Sequence, residues 1–227
     1  MAGATRTGGA GRLVSCVAWA LLLVVLWQWG RDLTETGTIP RTVLGERPSV
    51  SRLTDGRPLP APHEPLPGAP APVLLEIDSI GVRAQVMERG VDATGGIDPP
   101  PYELPDVAGW YAGGPTPGAR GPALVVGHVD TDTGQAVFYS LSAVEPGSEV
   151  RVTREDGSVA EFTVIGVDVI EREQFDPVQV YEGGQDGLAE LRLITCGGTF
   201  DRERQSYSAN VVVSAYLSGT SPARSSV

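Results

Sequence analysis

The chain has 227 residues, enough for one domain of ordinary size with flanking segments. Its formal net charge is −11, and its 17 basic side chains are all arginines. Nucleic acids and anionic lipid surfaces attract basic proteins, so this composition argues against nucleic-acid binding.

The first element in chain order is a predicted membrane anchor over residues 13–29, LVSCVAWALLLVVLWQW, which carries no charge. As a helix this stretch would be ~26 Å long, close to the hydrocarbon thickness of a bilayer. A cleaved signal peptide is the alternative, but the bulky WQWGRDL lacks a small-residue cleavage site. Arginines before the span predict a cytoplasmic segment 1–12, with the rest of the chain outside the cell.

Residues 30–72 are predicted to be an extracellular linker, because proline is concentrated there and the run PLPAPHEPLPGAPAP ends it. Alternating proline and small residues favour an extended conformation and cannot build a core. This composition is typical of a semi-rigid spacer between an anchor and a folded domain.

From Val73 to Leu217 the sequence indicates a mainly β domain. Short runs rich in Val, Ile and Phe are separated by Gly, Pro and Asp turn signals. These runs are VLLEI, VRAQVME, PALVVGHV, SEVRVTR, VAEFTVIGVDVI, LAELRLITC and ANVVVSAYL. Asp156-Gly157 predicts a hairpin between two of them, and AVFYSL a short turn. The simplest architecture is a closed barrel or a sandwich, followed by a frayed tail over 218–227.

The chain has two cysteines and two histidines. Cys16 lies in the predicted anchor, so Cys196 has no intramolecular partner in the exported part, where cysteines usually pair. His63 lies in the linker, which leaves His128 as the histidine of the folded domain. Cys196 and His128 each end an apolar run, and a reactive thiol needs a nearby imidazole. A packed, inert cysteine and a structural histidine are the alternative interpretation.

Arg202 and Arg204 follow Cys196 closely and could supply a cation where an oxyanion develops, although they could equally form a solvated ion-pair cluster. One His and one Cys leave too few ligands for zinc, and Asp130 and Asp132 lack the spacing of a calcium loop. We therefore predict no metal and no cofactor. No G-x-S-x-G motif indicates a serine hydrolase.

The segment LITC, ending at Cys196, resembles the TLxTC signature of the sortase family, and VVGHVDT resembles the family's histidine segment. The stretches IDSIGVRAQVMERGVDATGGIDPPP, VAGWYAGGPTPGARGPALVVGHVDT, ITCGGTFD and YSANVVV resemble the actinobacterial class often called F. The resemblance covers the domain from Val73 to Leu217.

This resemblance implies an eight-stranded sortase β-barrel and a cysteine transpeptidase. Such enzymes cleave an LPxTG-like sorting signal near the C-terminus of a secreted protein, form an acyl-thioester, and transfer the protein to a cell-wall precursor amine. Carried over to this sequence, Cys196 would be the nucleophile, His128 the general acid/base, and Thr195 a residue of the peptide groove. Gly197 and Gly198 would leave room for the substrate backbone.

The sequence departs from the family at the arginine that steadies the oxyanion, commonly found just before or at the start of the last strand. Here that stretch reads SYSANVVV, without an arginine. Arg204 is the first candidate for the catalytic arginine, and Arg202 the second, with a role in substrate binding. If neither reaches the sulfur, Tyr207 or backbone N–H groups would have to donate.

Two further classes remain open. A non-catalytic, membrane-tethered binding module on a sortase-like barrel would carry an inert thiol. A cysteine transpeptidase of the L,D type would require a Ser-x-Gly-Cys-Arg pattern, which the residues around Cys196 do not provide.

Overall fold

The computed structural model describes residues 58–93, 95–182, 184–203 and 206–222. The predicted cytoplasmic segment and anchor, and most of the predicted linker, lie outside the described residues. Within the described part of the chain, no helix is both long and apolar enough to cross a bilayer.

Eight strands close into a barrel in the order β1-β2-β3-β4-β9-β10-β8-β7, with β7 pairing back onto β1. Two of the pairings are parallel, β2 with β3 and β4 with β9, and the others are antiparallel. The barrel strands are β1 Pro72–Ile77, β2 Val82–Arg89, β3 Val107–Tyr111, β4 Gly121–Val126, β7 Glu149–Arg154, β8 Ser158–Glu171, β9 Ala189–Asp201 and β10 Ser206–Pro222.

Shorter elements lie in the connections between the barrel strands. A two-stranded hairpin is formed by β5 Asp130–Thr131 and β6 Gly134–Gln135. The helix α1 is Pro177–Tyr181, and three-residue 3-10 helices cover Asp78–Ile80, Leu141–Ala143 and Arg172–Gln174.

The eight-stranded barrel and seven of its strands confirm the mainly β prediction. The hairpin around Gly157 is also confirmed: β7 and β8 are antiparallel, and Gly157 has φ 80°, a left-handed conformation that suits glycine. β3 escaped prediction because its sequence, VAGWY, carries small residues where a strand normally carries branched ones. Its backbone hydrogen bonds to β2 and β4 stabilise the strand despite its low intrinsic strand propensity.

The strand β9 is buried on both of its faces. Leu191 and Leu193 point into the barrel and are fully buried there. Ile194 points outward and packs with Val212 and with Val180 of α1 in a second apolar cluster. Each such side chain contributes roughly 1.5–3 kcal/mol on burial. β9 is therefore apolar on its inner face, and its outer face carries the buried Glu190 and Arg192 before the apolar Ile194.

The helix α1 covers this outer cluster, and its sequence carries two signals that define its N-terminus. The Asp176 side chain caps the first turn by accepting from the amide of Val178 at 3.0 Å. Pro177 stands at the first helical position, where a missing N–H costs nothing. The cap sets the direction of a helix that is only five residues long.

The described end of the predicted linker does not stand away from the barrel. The His63 amide donates to the Leu217 carbonyl at 2.8 Å, and the Leu66 amide donates to the Gly118 carbonyl at 2.8 Å. Alternating prolines keep residues 58–71 extended and leave their few amides available for partners on the barrel. This part of the Pro-rich segment is therefore packed onto the folded domain.

A buried arginine holds the same segment from the barrel side. Arg154 is 2% exposed, and its Nη2 donates to the Pro67 carbonyl at 3.1 Å. Because a buried guanidinium needs hydrogen-bond acceptors, the carbonyl of the docked segment helps to satisfy it.

The tail expected to fray from Ser218 instead continues β10 as far as Pro222. Gly219 pairs with Glu161, and the Thr220 hydroxyl donates to the Val159 carbonyl at 2.9 Å. The long strand β8 exposes backbone groups along its whole length, and the extra residues of β10 pair with them. Residues 223–227 lie outside the described residues.

We expect Leu66→Ala to lower the free energy of unfolding by about 1–2 kcal/mol, below the ~2–5 kcal/mol typical of fully buried leucines, because Leu66 is half-buried. Its side chain packs closely over Gly118 and against the core of the barrel. Urea denaturation measures the change, and Glu64→Ala, an exposed position in the same segment, is the matched control. Equal stability of the two variants would show that the docked segment contributes nothing to folding.

Candidate functional site

The end of β9 sets the position of Cys196. The strand lies between β4 and β10, and Cys196 stands opposite Asn210. Side chains alternate along a strand, so Cys196 shares the outer face with Ile194. The outer apolar cluster that covers Ile194 does not extend to Cys196, and the thiol is exposed.

His128 lies two residues beyond the end of β4, which runs parallel to β9. Its ring is 8% exposed, stacks on Tyr102 at 4.3 Å and 20°, and places Nε2 2.7 Å from the Pro100 carbonyl oxygen. A carbonyl oxygen only accepts, so Nε2 carries the proton. In the neutral imidazole, Nδ1 is therefore the atom that can accept a proton.

Thr195 does not line the peptide groove as the resemblance implied. It is 4% exposed, and its hydroxyl donates to the Gly127 carbonyl at 2.8 Å. Because it is adjacent to Cys196 in a strand, its side chain must point to the opposite face. Its hydrogen bond ties β9 to the residue before His128, and the Gly127 amide returns a bond to the Ile194 carbonyl at 3.2 Å.

The pairing of β9 with β10 restricts both positions after Cys196 to glycine. A Cβ on Gly197 would lie 2.6 Å from Val211, so glycine is required for the packing of β9 on β10. Gly198 has φ 77° at an irregularity in the β9–β10 pairing, where a Cβ would lie 2.4 Å from the Ser208 hydroxyl. The expectation that both glycines open space for a substrate is thus wrong for Gly197, which is buried.

Cys196 and His128 line one open groove of about 1180 Å³ on the outside of the barrel. Its walls come from the segment before β3, the β5–β6 hairpin, the end of β8 and the turn between β9 and β10. The lining residues are Tyr102, Glu103, Pro105, His128, Val129, Asp130, Thr131, Asp132, Thr133, Arg172, Cys196, Phe200, Ser206 and Tyr207. The structure therefore brings together the cysteine and the histidine that the sequence singled out.

One wall of the groove is acidic. The Tyr207 hydroxyl donates to a carboxylate oxygen of Asp130, and this hydrogen bond raises the pKa of Tyr207 to about 12. Tyr207, the alternative oxyanion donor in the sequence analysis, thus donates to Asp130 in the structure. Among the described residues, no three His, Cys, Asp or Glu side chains group closely enough to hold a metal ion.

The structure describes one of the two arginines predicted for the site. Arg204 lies outside the described residues. Arg202 is exposed in the turn after β9, and the part of the groove wall that is described does not include it. Among the described residues, the arginine that lines the groove is Arg172, which directly follows β8.

Three effects set the acidity of the Cys196 thiol. Partial burial by the groove walls raises its pKa, the Arg172 guanidinium lowers it, and the Asp130 carboxylate raises it. The net shift is upward, so the neutral thiol is the favoured form at neutral pH. Sequence reasoning missed Arg172 because nothing near Cys196 in the chain points to the end of β8.

The comparisons with known proteins agree with this geometry. A family model described as Sortase domain matches residues 75–218. No curated protein sequence matches the chain significantly.

Several solved structures share the fold. The sortase SrtA from Actinomyces oris is 20% identical over 75% of this chain and 90% of that chain, with a TM-score of 0.50. Sortase A from Corynebacterium diphtheriae is 18% identical over 66% of this chain and 61% of that chain, with a TM-score of 0.50. Identities this low show a common fold and nothing finer. The family match covers more than half of the sequence, and the chain therefore belongs to the sortase family.

Proposed function

We propose that this protein is a membrane-anchored cysteine transpeptidase that cleaves an LPxTG-like sorting signal and joins the released protein to a cell-wall amine. The observation that carries the proposal is the shared groove of Cys196 and His128 on a sortase-family barrel. Sortases are generally cysteine transpeptidases that act on proteins bearing sorting signals. The substrates are secreted proteins with such a signal, and no cofactor takes part.

Acylation begins with the neutral thiol, the form favoured by the raised pKa of Cys196. As Sγ attacks the threonyl carbonyl carbon of the signal, the thiol proton passes to Nδ1 of His128, whose Nε2–H stays bonded to the Pro100 carbonyl. The carbon–nitrogen bond to glycine then breaks, and the imidazolium gives its proton to the leaving amine. The products are an acyl-thioester on Cys196 and a free C-terminal fragment.

Transfer reverses these roles. An amine of the cell-wall precursor attacks the thioester carbonyl, its proton returns to Nδ1 of His128, and the Cys196 thiolate leaves. The thiolate recovers a proton from the imidazolium, which restores the starting state. Because the same imidazole acts first as base and then as acid, a fixed tautomer and ring position favour both steps.

The finer assignment is a class F-like actinobacterial sortase with its N-terminus inside the cell and its barrel outside. The class rests on the stretches GIDPPP, VAGWYAGG and ITCGGTFD, and the location rests on the apolar run 13–29 with arginines before it. The domain boundaries proposed with it are a linker that begins at residue 30 and a catalytic domain that includes the docked residues 58–71 and the barrel as far as Pro222.

A membrane-tethered binding module is the second candidate, because two observations favour it. The thiol has a raised pKa, which lowers its reactivity. The start of β10 also reads Ser206, Tyr207, Ser208, Ala209, Asn210, without the arginine expected by resemblance. Such a module would bind a sorting peptide without forming a thioester.

Replacing Cys196 by alanine removes the nucleophile, so we expect no acyl-enzyme with an LPxTG peptide in intact-protein mass spectrometry. The unfolding temperature is expected to stay near that of the wild type, because the side chain is exposed. Cys16→Ala, which removes the other cysteine of the chain, is the matched control and should acylate normally. Product formation by the Cys196→Ala protein would end the transpeptidase proposal.

Asp130→Asn is expected to lower the pKa of Cys196, because it removes a negative charge that disfavours the thiolate. Below the thiol pKa, alkylation by iodoacetamide then becomes faster than in the wild type. The same substitution moves the pKa of Tyr207 down from about 12 towards its ordinary value, which absorbance at 295 nm detects. Tyr207→Phe keeps the carboxylate and serves as the control; an unchanged alkylation profile in Asp130→Asn would show that Asp130 has no influence on the sulfur.

A further inference from the structure

The register of three neighbouring strands brings the end of β8 to the level of Cys196. Cys196 pairs with Asn210, and Asn210 pairs on its other side with Ile170. Both β8 and β9 are antiparallel to β10, so they run in the same direction. Residues that follow Ile170 therefore lie alongside residues that follow Cys196, two strands or roughly 10 Å away.

Alternation places Arg172 on the outer face with Cys196. Ile170, Asn210 and Cys196 are paired in one line across the three strands, so their side chains point to the same face of the sheet. Glu171 keeps an extended conformation, with φ −56° and ψ 141°. Arg172, two residues beyond Ile170, therefore points to the same side. Its long side chain then reaches the groove, which it lines together with Cys196 and His128.

The Arg172 guanidinium is available to a substrate. Within the described part of the chain it forms no ion pair with a carboxylate, whereas Arg151 bonds to Asp78 at 2.9 Å and Arg192 to Glu190 at 2.5 Å. Arg172 is exposed at the start of a 3-10 helix. A cation without a fixed partner beside a nucleophile is suited to bind charge that develops during reaction.

The strand next to Cys196 offers no comparable group. Ser208 already accepts from the Thr199 amide at 3.0 Å, and Tyr207 donates to Asp130. The remaining polar residues at this end of β10, Ser206 and Asn210, are uncharged. Among the described groove residues, Arg172 is thus the one that carries a permanent positive charge.

We propose that Arg172, reaching across from β8, is the catalytic residue that stabilises the oxyanion formed when Cys196 attacks the substrate carbonyl. This role rests on the transpeptidase function proposed above. As the carbon–sulfur bond forms, the carbonyl π electrons move onto oxygen, and guanidinium N–H groups donate to that oxygen. The thiol proton goes to His128, so Arg172 gains and loses no proton.

The charge also affects the free enzyme. The Arg172 guanidinium lowers the pKa of the Cys196 thiol against the opposing effects of burial and Asp130. The same side chain would therefore favour both the thiolate before attack and the oxyanion after it. These two effects can be measured separately, because alkylation requires no peptide substrate.

The test compares Arg172→Gln and Arg172→Lys with wild type in the full chain, with an LPxTG peptide as donor and hydroxylamine as the accepting amine. We expect Arg172→Gln to lower kcat about a hundredfold or more, the loss typical of a removed oxyanion donor. Arg172→Lys is expected to recover part of that loss. Arg83→Gln, an exposed arginine paired with Glu76 on β1, removes the same charge away from the groove and should change neither kcat nor KM.

Alkylation by iodoacetamide gives the second measurement. Arg172→Gln is expected to raise the pKa of Cys196 and slow alkylation at neutral pH, and circular dichroism checks that the variant is folded. An active wild type with an unaffected Arg172→Gln variant overturns the role of Arg172 alone. The same conclusion follows if Arg204→Gln loses activity and Arg172→Gln does not. A wild type that acylates with no peptide overturns the proposed function and this role together.

Discussion

The pairing of β4 with β9 is the constraint on which the groove depends. The strands run parallel, with Val126 opposite Ile194, and the chain leaves both in the same direction. A parallel pair brings the ends of two apolar runs to one edge of the sheet, although the residues there are far apart in sequence. The Thr195 hydroxyl adds a bond to the Gly127 carbonyl, beyond the last paired residues of β4. His128 and Cys196 therefore leave the barrel from neighbouring, mutually bonded stretches of backbone.

The groove beside Cys196 is lined by side chains of opposite charge. Asp130 stands on the hairpin that follows His128, and Arg172 stands at the end of β8. The carboxylate raises the pKa of the thiol and the guanidinium lowers it, while burial adds a further upward shift. The result is a sulfur that rests as a thiol, which His128 would deprotonate under the proposed mechanism. A cysteine held neutral in this way resists oxidation better than a thiolate would.

The sequence predicted the parts of this arrangement that have local signals. Branched and aromatic residues between turn signals located seven of the eight barrel strands, and scarcity alone singled out Cys196 and His128. Thr195 shows a prediction that simple geometry could have improved, since adjacent residues of a strand face opposite sides. Arg172 shows one that local reasoning could not reach. Its place in the groove comes from pairings across β10, and the residues around it, EREQ, read as an ordinary charged turn.

The position of Arg172 links the groove to the segment between β8 and β9. That segment contains α1, whose Val180 packs on the outer apolar cluster. Its far end is held by Glu190, which is 4% exposed, bonds to Arg192 at 2.5 Å and accepts from the Gln185 amide at 2.6 Å. The Glu190–Arg192 pair lies within β9, and the Gln185–Glu190 hydrogen bond is the contact that ties the segment to the outer face of that strand.

The same outer face of β9 therefore carries, in succession, the buried Glu190–Arg192 pair, the apolar cluster that α1 covers, and the exposed thiol of Cys196. Side chains at alternate positions from Glu190 to Cys196 change from charged and buried to apolar and buried, and then to exposed. The first two parts position the segment that begins with Arg172, and the last is the sulfur that Arg172 faces. The Arg172 guanidinium, which directly follows β8, and the Cys196 thiol on β9 are consequently held in place by the pairing of both strands with β10 and by the packing on the outer face of β9.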